Sequence, residues 1–317
     1  MRGVERVLAA CALAVVALAP ASAGAYVRAL TKGAPAKETL WLQSCVPVTI
    51  YPGDFASTAR LTDTSIVKSV AGAAHAWSPD AVTCPDGASR PFIEIVPSLA
   101  PTGAAPPPVG DDARNVVVFR TENWTLDGTP TGTALNPEAL AFTLVTSRAD
   151  GHIVDADILV NGVTRAWKDF EPGVTPTPDQ GETLREFDLQ AALTHEFGHF
   201  LGFGHTCVQA GEAGMKDDRG RDVPACGAAT EEVIRSVMFF RTAEDDATKR
   251  VLSDDDARGV CEVYASDSKS CTVDTPYDGC AVVPGRAAGL PAVTSAFGLL
   301  TFSFAALTWA RRRRARA

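Results

Sequence analysis

Three of the chain's five histidines fall in one short stretch, His195-Glu196-Phe197-Gly198-His199-Phe200-Leu201-Gly202-Phe203-Gly204-His205. Residues 187–192 just before it are compatible with a helix, which places His195 and His199 one turn apart on one face, within reach of a single ion. Gly202 can take the positive φ that ends a helix, so the chain can turn there and bring His205 in from outside it. Glu196, one position after the first histidine, is placed to reach a water on that ion rather than the ion itself. Three protein ligands leave a fourth position open, as in a catalytic rather than a closed structural zinc site. Five fixed matches of these types arise by chance in a chain this long roughly once in 10⁵ at ordinary residue frequencies, so ordinary polar residues on a buried helix are a poor account of the stretch.

The two ends carry processing signals. Arg2 and Arg6, an apolar run over residues 7–19 and the small residues Ala21-Ser22-Ala23 read as a secretory signal peptide over residues 1–23. Residues 287–310 are largely apolar and end in Arg311 to Arg314 and Arg316, long enough to cross a bilayer with the arginines inside. With Cys280 just before it, this stretch over residues 287–317 resembles the C-terminal sorting tails of myxobacterial surface proteins; a plain membrane helix is the simpler alternative. The remaining organisation is one body over residues 24–265 and a linker over 266–286. The formal charge of −9 includes the tail arginines, so the exported body is more acidic still and a nucleic-acid partner is not expected.

Once Cys11 and Cys280 are assigned to the ends, Cys45, Cys84, Cys207, Cys226, Cys261 and Cys271 remain, an even set that fits an oxidising compartment. Sequential pairing (45 with 84, 207 with 226, 261 with 271) is expected, the middle bridge stapling an insertion after His205. Zinc binding by these thiols is disfavoured, since no CxxC spacing occurs. Apolar patterning predicts strands at 39–51, 92–96, 115–119, 139–146 and 153–160, and an amphipathic helix over 57–77 stopped by Ser78-Pro79. Ser253 and Asp256 form a capping-box pair before a later helix with Val260, Val263 and Tyr264 on its apolar face.

The string HExxHxxGxxH resembles the zinc signature of the metzincins, and its flanks look closest to the matrixin branch. Asp188-Leu189-Gln190, Ser236-Val237-Met238 and Leu252-Ser253-Asp254-Asp255-Asp256 are similar to matrixin segments in the same order. The resemblance implies zinc held by His195, His199 and His205, Glu196 as general base and Met238 as an apolar Met-turn floor beneath the ligands. Thr206 and the long interval from His205 to Met238 depart from the matrixin pattern. Phe240 stands where other metzincin branches carry a metal-binding tyrosine, and no cysteine switch precedes Cys45. Asp150, Asp155 and Asp157 are candidate oxygen ligands for calcium, against a simpler reading as solvated loop carboxylates.

The expected fold is therefore α+β of the metzincin type: a mixed, twisted sheet with the zinc helix, and a smaller C-terminal subdomain containing Met238 and the Ser253 helix. The strand at 153–160 is expected at the sheet edge, where an extended peptide can add. The expected function is a secreted or surface-anchored zinc endopeptidase acting as a monomer on proteins or peptides, with a membrane contact only through the tail. The competing readings are a non-enzymatic zinc-stabilised surface or adhesion protein and a hydrolase of cell-wall peptides.

Overall fold

The computed structural model describes residues 26–55, 61–87, 89–169, 186–210, 214–244 and 246–265. The signal-peptide, linker and tail expectations, with Cys271 and Cys280, lie outside these residues. Among the described residues no helix is long and apolar enough to cross a membrane.

The architecture is mixed α/β. A five-stranded sheet is built from β2 (Cys45–Tyr51), β3 (Glu94–Leu99), β4 (Val116–Arg120), β5 (Ala141–Ser147) and β6 (Ile153–Asn161), in the order β3-β2-β4-β6-β5. All neighbours are parallel except β5, which runs antiparallel to β6. β6 is thus an interior strand, and the edge beside the site is β5, not residues 153–160 as expected. The burial explains the difference: residues 155–161 are all buried, the double-sided pattern of a strand covered on both faces and flanked by neighbours.

Helix α1 (Asp63–Ala76) starts later than the apolar pattern alone predicts, because Thr62 and Ser65 form a reciprocal capping box. Its Ile66, Val70, Ala73 and Ala74 are buried against the sheet and against α2 (Leu189–Phe200). Trp77, at the C-cap of α1, donates from Nε1 to Thr194 O of α2 at 2.9 Å, which fixes one helix against the other.

Smaller elements complete the surroundings of α2. β7 (Ala166–Lys168) pairs in parallel with β8 (Glu186–Asp188), which leads directly into α2. β1 (Val27–Arg28) pairs antiparallel with β9 (Phe203–Gly204), which leads out of it. Two later helices, α3 (Glu231–Arg235) and α4 (Asp254–Val263), flank the segment containing Met238, and α4 opens with the Ser253 and Asp256 capping box read from the sequence.

Two disulfides join described residues, Cys84 to Cys261 and Cys207 to Cys226. The second staples the segment after His205, as expected. The first replaces the two local loops expected for Cys84 and Cys261, because α4 packs beside the segment that follows α1 and brings these cysteines together across 177 positions. Cys45 is also disulfide-bonded. Such bridges fit an oxidising, exported setting.

Candidate metal centre

Helix α2 begins at Asp188, whose buried carboxylate accepts from Ala191 N at 2.7 Å. The same carboxylate is gripped by Arg250, from Nε at 2.8 Å and from a terminal nitrogen at 2.5 Å, while Arg250 also reaches Asp169 at 3.0 Å. A charge-assisted, bidentate pair of this kind fixes orientation as well as energy. It sets the start of the helix that carries His195, Glu196 and His199.

Gly202 takes φ +85°, ending the helical turn, and β9 then carries the chain to His205. The side-chain nitrogens of His195, His199 and His205 lie within 4.8 Å of one another, and among the described residues they form the group able to hold a metal ion. His195 Nδ1 lies 2.7 Å from Val237 O and His199 Nδ1 2.8 Å from Phe203 O. A carbonyl only accepts, so each Nδ1 is the donor, and Nε2 is the nitrogen that a neutral ring offers to a metal. His199 Nε2 and His205 Nε2 are 3.1 Å apart. Nitrogens about 2.0–2.1 Å from a tetrahedral zinc stand roughly 3.3 Å from each other, so the spacing suits such an ion. Burial lowers the pKa of His195 well below the ordinary value and that of His205 to about 3, which keeps both imidazoles neutral.

Glu196 is buried beside them, and burial raises its pKa. Its Oε2 accepts from the Thr143 hydroxyl at 2.5 Å, so the edge strand β5 touches this carboxylate directly. Met238 is buried, and a Cβ built on Gly198 would run into its Sδ, so the thioether packs flush against α2 between the two helical histidines. Asp256 anchors that segment: it accepts from Val237 N at 2.7 Å and from the Ser236 hydroxyl at 2.7 Å. Because Val237 O in turn receives His195 Nδ1, the cap of α4 is linked to the first histidine. Lys249 is also buried nearby, donating to Arg241 O at 2.8 Å, and burial pulls its pKa down to about 8.

Thr143, Lys249, Arg250 and the second role of Asp256 were not read from the sequence. Each acts on the histidine stretch from at least 40 positions away, except through the local capping signal that Asp256 does carry. The calcium candidates do not form a comparable group. Asp150 is exposed and bridged to His152 at 3.2 Å, whereas Asp155 and Asp157 are buried in β6 beneath residues 110–116.

No protein-family model matches the chain, and no curated protein does. Among solved structures the chain is similar to one described as "Structure of myroilysin", at 13% identity and a TM-score of 0.31, covering 73% of this chain and 97% of that one. At that level the likeness is a distant one.

Proposed function

We propose that the chain is a zinc-dependent endopeptidase of the metzincin type, acting on proteins or peptides outside the cytoplasm. The observation that carries this reading is a buried carboxylate, Glu196, immediately beside three convergent imidazoles. A site that only stabilised the fold has no need of a base in that place. Zinc held by His195, His199 and His205 would supply a water activated towards a pKa of about 7 and polarise a substrate carbonyl.

Glu196 is the residue that would serve there as general base towards the water and then as general acid towards the leaving amine. Thr143 donates to one of its oxygens, Oε2, which restrains the carboxylate. Met238 gives the histidines an apolar floor, and the carbonyls of Val237 and Phe203 orient His195 and His199 through their Nδ1 atoms. β5 bonds to a neighbour only through β6 among the described residues, so an extended peptide can pair with its outer edge and pass the scissile bond across Glu196.

Glu196→Gln tests this reading, because the amide keeps the shape but cannot take a proton. Zinc content should stay at the wild-type level while cleavage of casein falls by about 10²–10⁴-fold. Casein cleavage at the wild-type rate by the variant, or wild-type cleavage insensitive to a chelator, would overturn the assignment.

A further inference from the structure

The turn that leaves α2 is held by donors from distant parts of the chain. Phe200 O accepts from Trp41 Nε1 at 2.8 Å, and Leu201 O accepts from the Tyr264 hydroxyl at 2.7 Å. Gly202 O accepts twice, from Ala29 N at 2.9 Å and from Arg28 Nε at 3.3 Å. A second guanidinium nitrogen of Arg28 donates to Thr39 O, and the third pairs with Glu38 at 3.4 Å. The guanidinium carbon lies 5.7 Å from the centre of the Phe203 ring, and the Arg28 side chain is only 9% exposed. Along the β1 and β9 ladder, Arg28 stands opposite Phe203 and Val27 opposite Gly204.

These contacts converge on two of the three histidines. Phe203 O receives His199 Nδ1, so wherever the Phe203 peptide sits, the His199 ring follows. Gly204 is the residue before His205. The close approach also accounts for glycine at 202, since a Cβ there would run into Thr39 O, the carbonyl that Arg28 holds.

We propose that Arg28 is a positioning residue for the metal centre: it clamps the Gly202 turn to Thr39, setting both the carbonyl that orients His199 and the strand that presents His205. The inference rests on the reading of the three histidines as a metal site. Arginine suits the task because its planar fork has five donors and can span two carbonyls and a carboxylate together, whereas a lysine ammonium is a point donor. Groups that orient metal-binding histidines typically change metal affinity by about 10–100-fold when removed.

The test uses the full chain with Arg28→Ala and Arg28→Lys, and with Arg90→Ala as a control, an exposed arginine that donates to Pro79 O away from the histidines. Zinc affinity is measured by competition with a chelator. The visible absorption of the cobalt-loaded protein reports ligand geometry, and circular dichroism confirms that each sample is folded. Arg28→Ala should bind zinc roughly 10–100-fold more weakly with a changed cobalt spectrum, Arg28→Lys should fall between it and wild type, and Arg90→Ala should match wild type. Folded Arg28 variants with wild-type zinc affinity and cobalt spectrum would overturn the proposal. If Arg28→Ala does not fold, Arg28→Lys decides in the same way, and loss of the fold in both would make Arg28 a stabilising residue and defeat it. Failure of the wild-type chain itself to bind zinc would instead defeat the histidine reading.

Discussion

Gly198 occupies the middle of α2, where glycine is about 1 kcal/mol less favourable than alanine. Its place is explained by what lies against it, because a Cβ there would meet Met238 Sδ and lie 2.9 Å from Trp77 Cζ2. Met238 and Trp77 are both buried, with little room to retreat. Overpacking of this kind costs about 1–3 kcal/mol, which outweighs the gain in helix propensity. Gly198→Ala should therefore lose about 1–2 kcal/mol in urea unfolding instead of gaining stability; a gain would show that Met238 yields freely. At this scale the sequence was legible where the chemistry is local. His195, Glu196 and His199 share one helix, and Gly202 with His205 follow within six positions. Thr143, Lys249 and Arg250 were hidden because each meets α2 only after the sheet and the last helices have packed, and no spacing rule reaches across 50 residues.

Among the elements, β6 is the one whose sequence pattern misled. Alternation around Asp155 and Asp157 reads as a half-exposed strand, yet both carboxylates are buried, and neither Asp155 oxygen has a hydrogen-bond partner among the described residues. Strand order is a long-range property, so the alternation could locate the strand to within a residue without revealing that β5 lies outside it. Burial raises the Asp157 pKa to about 7, opposed by the Gly110 N–H and helped by the charge of Asp155. Since its folded pKa lies above the unfolded value, the native state binds more protons than the unfolded state between about pH 4 and 7. The contribution of Asp157 is thus fully present below pH 4 and is lost as pH rises through 7. Asp155→Asn removes the neighbouring charge and should shrink that loss. Urea midpoints at pH 5 and pH 7.5 are expected to differ less in the variant than in wild type, with the variant gaining relative stability at the higher pH; an unchanged difference would mean that Asp155 is not charged beside Asp157.

At the scale of the whole molecule, the two described disulfides do different work. Cys84–Cys261 closes a loop of 177 positions and ties the segment after α1 to α4, the helix whose Asp256 supports Met238. Cys207–Cys226 closes only 19 positions, but it begins two residues after His205. Loop-closure entropy predicts about 5 kcal/mol for the long bridge and about 3 kcal/mol for the short one, and removal of a native bridge usually costs about 2–5 kcal/mol. Cysteine count alone pointed to an oxidising setting but not to this connectivity, because pairing follows which elements pack together and not which cysteines are adjacent in sequence. Replacing Cys84 and Cys261 by serine should lower the Tm by roughly 5–15 °C while a folded sample keeps its zinc affinity. Replacing Cys207 and Cys226 should lower the Tm less and weaken zinc binding more, because the strand that presents His205 then loses the anchor on its far side. Calorimetry paired with chelator competition on both double variants separates the effects. Equal zinc affinities in the two would show that β1 and Arg28 hold His205 without help from the staple.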